Sequence, residues 1–273
     1  MEFGISFFPN VGPVEKSGRD YWHEALSLVD LCDPLGFSHV RTVEHYFHPY
    51  GGYSPNPMVF LASASQRSKN ARMVTGAVLP AFNNPLKLAG EAAMLDAISG
   101  GRLDLGIARA FLPHEFERFG VNLDTSRARY EEGIAQLDAL LTHEKVTMSG
   151  AFHSFQDVTS LPRPAQQPRP PIWIAATTNA ETFEFAGRNG YMCMANPIGG
   201  AALNELLAVY HDAWQAAGHP GCGKSMLAFM MYCAPDTDQA IEEAGPDVKA
   251  YFQTLADAAS GWKEGDGQPV RRQ

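Results

Sequence analysis

The hydrophobic positions of this chain fall into short apolar runs separated by longer amphipathic stretches. The runs, typical of buried strands, cover residues 3–8, 40–48 (apolar only in its first part), 73–79, 103–108, 172–175, 191–195 and 226–233. Between them, apolar residues recur at spacings of three and four, which predicts helices at residues 19–35, 58–66, 85–98, 126–141, 181–187, 203–217 and 237–259. Strands that alternate with helices in this way predict an α/β fold whose parallel sheet is covered on both faces.

Two stretches depart from this alternation. Residues 142–171 contain a run at 150–155 that alternates like a short hairpin strand, followed by a passage rich in Pro, Gln and Arg, and we interpret them as an insertion. After residue 259 no apolar strand is left. A closed eight-stranded barrel needs one more strand and helix, so the C-terminal βα unit is incomplete, the chain is truncated or residues are missing. The length of 273 residues suits one domain over residues 1–273.

Composition narrows the functional classes. The net charge is −9 and the pI is about 5.4, which argues against a general binder of nucleic acid or of anionic membranes. No apolar run reaches the roughly 18 residues that a membrane-spanning helix needs, and residues 1–5 predict a first strand and not a signal peptide. The 4 cysteines are scattered without a CxxC pattern, which is typical of reduced thiols in a cytosolic protein.

The transition from the second strand to its loop carries the first candidate chemistry. Glu44 and His45 follow the apolar residues of that strand, and a loop rich in proline and glycine begins at Pro49. Barrel enzymes carry catalytic residues at such strand ends. A carboxylate beside an imidazole suits proton transfer near neutral pH. The alternative is a solvated histidine beside a glutamate with a capping role.

Later strand ends predict an anion site. Residues 175–181 follow a strand, contain small side chains and open a helix, and Thr178 begins the four-residue pattern of a capping box. Helix N-termini favour anions. Arg109 ends the fourth strand and Arg127 opens the next helix. With Thr177, these arginines predict a phosphate site on the rim of strand ends, and ordinary capping and surface ion pairs are the alternatives.

Two further patterns in the sequence are weaker indications of function. Residues 218–225 match the phosphate-loop pattern G-x-x-x-x-G-K-[ST], but a predicted helix precedes them and a predicted strand follows. A true phosphate loop has the opposite order, so we interpret this stretch as a glycine-rich turn. His39 and His48 flank the second strand at opposite ends, roughly 30 Å apart in an extended chain. We therefore expect no metal site there.

Three segments together resemble the bacterial luciferase-like flavin monooxygenases. They are Glu44-His45-Tyr46-Phe47, Ala77-Val78-Leu79-Pro80 followed by Asn84-Pro85, and Leu95-Asp96-x-x-Ser99-Gly100-Gly101-Arg102-x-x-x-Gly106-Ile107-Ala108-Arg109. The last segment is the most specific, and the resemblance runs over residues 1–259. It implies a (β/α)8 TIM barrel of the luciferase-like type that binds FMN at the C-terminal ends of its strands.

The resemblance also implies roles for the candidate residues. Those that would hold the FMN phosphate are Arg109, Arg127, Thr177, Thr178 and the amides around Ala176, and those along the isoalloxazine are Ala77, Val78 and Asn196. Glu44 and His45 would face the reactive pocket, with His45 as the catalytic imidazole. A separate flavin reductase would supply FMNH2, whose reaction with O2 gives a C4a-(hydro)peroxyflavin that oxygenates a small organic substrate. A homodimer is implied as well.

Two positions depart from the family pattern. Tyr46 stands where the family usually has a second histidine, and Ala108 stands where the luciferases proper carry a reactive cysteine, so light emission is not implied. Two alternatives stay open: a deazaflavin (F420)-dependent oxidoreductase that transfers hydride, and a non-catalytic flavin-binding paralogue. The aromatic residues Phe8, Phe111 and Tyr46 suggest an apolar or aromatic substrate.

Overall fold

The computed structural model describes residues 1–197 and 199–260. Within these ranges the strands β1 to β9 are Gly4–Phe7, His39–Thr42, Arg72–Thr75, Leu103–Ile107, Val146–Ser149, Ser154–Val158, Ile172–Ala176, Met192–Ala195 and Ser225–Leu227. The helices α1 to α9 are Gly18–Val29, Cys32–Leu35, Pro57–Arg67, Pro85–Ile98, Pro113–Phe119, Ser126–Thr142, Ala180–Arg188, Gly200–Ala216 and Thr237–Ala259, and a short 3₁₀ helix lies at Leu123–Thr125.

Seven of the strands form one sheet, in the order β1-β2-β3-β4-β7-β8-β9. All neighbouring pairs in this sheet are parallel, and at least one helix lies between each pair along the chain. The strands β5 and β6 form a separate antiparallel pair. The predicted α/β class and the alternation of strands and helices are therefore confirmed.

The two faces of the sheet bury different clusters. Adjacent residues of one strand point to opposite faces, and Met73 and Val74 of β3 illustrate this. Met73 belongs to the main hydrophobic core, together with Leu105 of β4 and Leu137 of α6, all of which have 0% exposure. Val74 belongs to a smaller cluster with Trp173 of β7. The sheet is thus apolar on both faces, which explains the nearly continuous apolar runs of its strands.

Several strands are shorter than predicted, and β2, whose run was predicted over residues 40–48, ends already at Thr42. The chain leaves the β3 ladder after Thr75, and only an isolated bridge between Val78 and Ile107 continues the pairing. The last strand, predicted at residues 226–233, ends at Leu227. Among the described strands it pairs with β8 alone, and Leu227 pairs with Ala195, the final residue of that strand. Beyond it β8 offers no further ladder partners, so residues 228–236 are apolar in part but are not a strand.

The insertion at residues 142–171 contains the hairpin of β5 and β6, but the predicted strand at 150–155 is wrong in its bounds. Residues 150–153 are the turn, and β6 begins only at Ser154. Glu132 of α6 explains this, because its carboxylate accepts the amide hydrogens of Ala151, Phe152 and His153. Amides that bind a carboxylate in this way are not free for a ladder.

The helix predicted at residues 19–35 is instead two helices, α1 and α2. Pro34 lacks an amide hydrogen, and its ring would clash with the carbonyl of residue 30 in a continuous helix, which accounts for the break. Gly36 ends α2 with a positive φ of 76°, the left-handed conformation that favours glycine at the end of a helix. Helix α5 and the 3₁₀ helix lie where the pattern indicates a loop.

Helix α9 lies across the carboxyl ends of the strands. Tyr251, Leu255 and Ala258 pack against a group that includes Phe8 and Tyr50. No strand follows β9 within the described residues, and the prediction that no apolar strand is left after residue 259 concerns residues 261–273, which lie outside them. None of the helices in the described ranges has the length and apolar character required to span a membrane. The glycine-rich stretch 218–225 links α8 to β9, which confirms its prediction as a turn.

Candidate active site

The sequence-predicted residues gather at one rim of the sheet. Glu44 and His45 follow β2, Ala77 and Val78 follow β3, and Arg109 follows β4. Thr177 and Thr178 follow β7, and Asn196 follows β8. Because the strands are parallel, their carboxyl ends share one side of the sheet. The structure therefore brings the candidate catalytic and cofactor-binding positions to the same side of the fold.

His45 is held by a carboxylate that the sequence did not indicate. Its Nδ1 lies 3.1 Å from Oε1 of Glu115 in α5, and the amide of Tyr46 donates to the same oxygen over 2.9 Å. His45 is 8% exposed and Glu115 is fully buried. A carboxylate at this distance fixes the ring orientation and places the Nδ1 proton toward Glu115 in neutral His45. Nε2 is then the ring nitrogen that can exchange a proton with a bound molecule.

Aromatic side chains enclose the imidazole. The ring centroids of Phe8, Tyr50 and Phe111 lie 5.9, 5.3 and 5.9 Å from that of His45. Gly51 closes the enclosure from the backbone side, with a φ of 77°, and a Cβ at this position would lie 2.6 Å from Cδ2 of His45. Only glycine suits this close approach with a left-handed conformation. The arrangement limits access of water to His45.

Glu44 lies on the other side of the same loop, in a different environment. Its carboxylate accepts hydrogen bonds from the Tyr46 hydroxyl at 2.5 Å, the Asn83 amide at 2.9 Å and the Leu79 backbone at 3.2 Å. Burial raises the pKa of Glu44 to about 7, although these donors act to lower it, and the nearby charge of Glu115 adds a smaller increase. Glu44 therefore changes protonation near neutral pH.

The chain after β3 offers a small apolar surface. The peptide bond between Gly76 and Ala77 is cis, and both Ala77 and Val78 are buried. Val78 is fixed by the bonds of its amide to the Gly106 carbonyl, at 2.8 Å, and of its carbonyl to the Ala108 amide, at 3.0 Å. The hydrogen bond from Leu79 to Glu44 joins this segment to the β2 loop. A flat ring system suits such a surface of small side chains.

Arg109 and Arg127 form the candidate anion site. Burial and the neighbouring charge of Arg127 both lower the pKa of Arg109, and its Nε donates to Ser126 over 3.0 Å. Arg127 pairs with Glu131 at 3.0 Å and with Glu181 at 2.9 Å. Two guanidinium groups that repel one another favour an anion between them.

The turn after β7 differs from its prediction in one respect. The predicted capping box of Thr178 and Glu181 is wrong, because Asn179 is the N-cap of α7 and accepts the Glu181 amide over 2.9 Å. The Glu181 carboxylate extends to Arg127 instead. Asn is as competent an N-cap as Thr, and the choice leaves the hydroxyl groups of Thr177 and Thr178 exposed at the rim.

Asn196 lies beside this turn and away from Ala77 and Val78. Its amide donates to the Ala176 carbonyl over 3.1 Å, and the strands β4 and β7 separate its strand from β3. Asn196 therefore lies next to the turn at the carboxyl end of β7. Its contact with an isoalloxazine stays a prediction.

Sequence reasoning missed Glu115, Asn83 and Arg41. Arg41 alternates with the outward Val40 on β2 and points to the inner face, where it donates to Ser6 and to the Gly76 carbonyl, both over 2.8 Å. Burial lowers the pKa of Arg41 to about 10. A charged residue inside an apolar strand was an available signal for Arg41. Glu115 gave none, because its role depends on the position of α5.

Comparison with known proteins identifies the family. The sequence profile described as Luciferase-like monooxygenase matches residues 1–271. The chain belongs to the luciferase-like monooxygenase family. The structure of monooxygenase RslO1 from Streptomyces bottropensis superposes with a TM-score of 0.91 at 47% identity, over 96% of this chain and 80% of that one. The match confirms the luciferase-like TIM-barrel type of fold, here with its seven-stranded sheet.

Two further relatives extend this picture. The oxygenase component of a flavin-dependent trigonelline monooxygenase from Acinetobacter baylyi is 32% identical over 87% of this chain, which spans 66% of that protein. The oxygenating constituent of 3,6-diketocamphane monooxygenase from Pseudomonas putida, in complex with FMN, has a TM-score of 0.83 at 21% identity, over 96% of this chain and 77% of that one. The second likeness concerns the fold alone.

The residues present fit a flavin mononucleotide. Two neighbouring guanidinium groups, exposed threonine hydroxyls and the N-terminus of α7 are donors suited to a phosphate. Ala77 and Val78 are small, apolar and buried, and apolar side chains of this kind suit the wall of a site for a planar ring. Within residues 1–197 and 199–260, no three His, Cys, Asp or Glu side chains converge as a metal site would require.

Proposed function

We propose that this protein is the oxygenase component of a two-component flavin-dependent monooxygenase. It takes FMNH2 from a separate flavin reductase and uses O2 to oxygenate a small organic substrate. The observation that carries the proposal is the pair of His45 and Glu115 inside an aromatic enclosure, on the same rim as the paired arginines. The 32% identity to an oxygenase component of this type supports it.

The protein residues have separate tasks in this reaction. Bound FMN supplies the electrons for O2 activation and the oxygen transfer. Arg109 and Arg127 bind the phosphate, together with the hydroxyls of Thr177 and Thr178 and the amides around Ala176. The charges of the two arginines lie at the rim and not in the aromatic enclosure of His45. They therefore hold the cofactor by its phosphate without polarising the ring that reacts.

His45 and Glu44 differ in their proton chemistry. Glu115 holds Nδ1 of His45, so Nε2 accepts or donates the proton at a bound molecule. Glu44 lies behind Leu79 and Val78. Its protonation state sets the charge next to the predicted position of the flavin ring. The aromatic enclosure of Phe8, Tyr50 and Phe111 excludes water from the imidazole.

The substrate, the partner and the assembly follow as parts of the same proposal. The aromatic enclosure favours a small apolar or aromatic molecule. A reductase partner follows from the two-component reaction, and the similarity to a protein named as an oxygenase component supports it. The homodimer and the cytosolic location implied by the sequence stay predictions.

The first experiment is an anaerobic titration of the purified protein with FMNH2, followed by mixing with O2 in a stopped-flow spectrophotometer. We expect tight binding and a long-lived absorbing species distinct from FMNH2 and FMN. The species should decay faster in His45→Ala, because the proton donor at the enclosure is lost. His143→Ala, in the exposed turn after α6, is the matched control and should leave the decay unchanged.

Two outcomes would contradict the proposal. Tight flavin binding with immediate H2O2 release, unchanged in His45→Ala, would indicate a non-catalytic flavin-binding protein. Weak binding of FMNH2 with tight binding of F420, and hydride transfer without O2, would indicate a deazaflavin enzyme on the same fold.

A further inference from the structure

A cavity of about 100 Å³ lies between the start of α3 and the first turns of α4. Its inner wall is formed by Glu44, Val78 and Asn83, and its outer part is lined by Lys87 and Glu91 of α4. A volume of this size holds several water molecules, which need polar partners to stay bound. The carboxylate of Glu44, the amide of Asn83 and the charges of Lys87 and Glu91 supply such partners, between apolar lining residues that include Met58 and Leu88.

The two ends of the cavity differ in exposure. Glu44 is 3% exposed at the inner end. At the outer end the Lys87 and Glu91 side chains are 62% and 29% exposed and form an ion pair at 2.7 Å. The cavity therefore connects a buried titratable group with solvent, and none of the aromatic residues that enclose His45 lines it.

We propose that this cavity is a water-filled proton path between solvent and Glu44. A hydronium ion at the Lys87 and Glu91 end delivers its proton through the enclosed waters to the Glu44 carboxylate, which becomes a carboxylic acid and leaves a water molecule. The reverse transfer restores the carboxylate. Only O–H bonds form and break, so the step needs no oxidant or reductant.

The groups around Glu44 suit repeated proton exchange. Tyr46 and Asn83 both donate to Oε1, while Oε2 accepts only the Leu79 amide and has room for a proton. Burial and the neighbouring carboxylates raise the pKa of the Tyr46 phenol, so Tyr46 remains a donor and does not compete for the proton. The charge that acts on Glu44 is that of Glu115, from α5. The charged pair on α4 lines the cavity that leads to Glu44.

The inner end of the path lies directly behind the predicted flavin surface. Val78 lines the cavity, and the amide of Leu79 bonds Glu44. The use of the proton by a bound flavin rests on the proposed function. The exchange between Glu44 and solvent does not, and it can be measured in the flavin-free protein.

Infrared spectroscopy of the flavin-free protein tests the path. The carboxylic C=O band of Glu44 is identified by its loss in Glu44→Gln and by its frequency shift on ¹³C-glutamate labelling, which also serves if that variant does not fold. The double variant Lys87→Leu, Glu91→Leu places two apolar side chains at the outer end on an exposed helix face. Hydrogen–deuterium exchange of the band is followed after rapid mixing with D2O.

The expected result is an exchange that is about tenfold slower or more in the double variant, because apolar side chains cannot bind the water that carries the proton. Glu184→Leu, Arg188→Leu removes a similar pair, four residues apart on the exposed face of α7, and should leave the rate unchanged. Equal exchange rates in the wild type and in the Lys87→Leu, Glu91→Leu double variant would overturn the proposal. A Glu44 that shows no carboxylic band between pH 5 and 8 would overturn it as well.

Discussion

The protonation of Glu44 gives a prediction about stability that is independent of any ligand. Glu44 is replaced by Gln, which keeps the size of the side chain and removes the charge. The folded protein raises the pKa of Glu44 from 4.5 to about 7, chiefly through burial. This difference corresponds to about 3 kcal/mol between the two protonation states.

The sign of the effect follows from proton linkage. Because the folded pKa is raised, the folded state binds the proton more tightly than the unfolded state. The contribution of Glu44 to stability is complete below pH 4.5 and is lost as the pH rises through about 7. About 0.8 kcal/mol of it is already lost at pH 5, so about 2.5 kcal/mol disappears between pH 5 and pH 8.5.

Urea unfolding of the wild type and Glu44→Gln at a series of pH values measures this loss. The Gln amide cannot satisfy all three donors of Glu44 equally well, which adds a penalty that does not depend on pH. That penalty cancels in the change of the difference between pH 5 and pH 8.5. We expect the variant to gain about 2.5 kcal/mol relative to the wild type over this interval.

Glu91→Gln provides the control, because this carboxylate is partly exposed beside Lys87 and should give a nearly constant difference. A Glu44→Gln difference that is equally flat would show that Glu44 is ionised throughout. A wild type that gains on the variant as the pH rises would show that the three hydrogen bonds outweigh burial. Either result would refute the reasoning for Glu44.

Three further predictions concern the site. Glu115→Ala leaves the Nδ1 of His45 without its acceptor and should lower the free energy of unfolding in urea by about 1–3 kcal/mol. It should also shorten the lifetime of the absorbing flavin species, as His45→Ala does. Glu115→Gln should have milder effects, and equal effects of the two variants would exclude a role for acceptor geometry. Arg109→Ala should weaken FMN binding about tenfold or more in a fluorescence titration but leave riboflavin, which lacks the phosphate, unaffected; Arg129→Ala, whose guanidinium lies over Phe152, is the control, and equal losses for FMN and riboflavin would contradict a phosphate contact. Gly51→Ala should lower the thermal midpoint and displace His45, since its Cβ would lie 2.6 Å from the imidazole at a φ of 77°; an unchanged midpoint with normal oxidation of FMNH2 would show that the loop adapts.

The parts of the fold that depend on local burial could be predicted from the sequence. Apolar runs identified the strands of the parallel sheet, and the parallel arrangement itself placed Glu44, Arg109 and Thr177 on one rim. The errors arose where a neighbour decides the outcome. The end of β9 depends on where β8 ends, and the hairpin turn depends on the carboxylate of Glu132.

The candidate site shows the same division. Glu44 and His45 were visible as a motif because they are adjacent along the chain. Glu115 lies 70 residues from His45 and reaches it only through the placement of α5, a helix too short for its periodicity to identify it. The N-cap of α7 was misplaced by one residue because Thr178 and Asn179 are both competent caps.

The two carboxylates of the site, Glu44 and Glu115, have different tasks because their surroundings differ. Glu44 meets three neutral donors in a buried position, so desolvation dominates and its protonation changes near neutral pH. Glu115 faces the imidazole of His45 and the Tyr46 amide, and its function is to orient them. Tyr46 connects the two, because its amide bonds one carboxylate and its hydroxyl the other. A second imidazole at this position would add another group that titrates near neutral pH, whereas the phenol keeps a constant protonation state. The departure from the family pattern at Tyr46 thus leaves the protonation of Glu44 as a source of a neutral-pH dependence of the reaction.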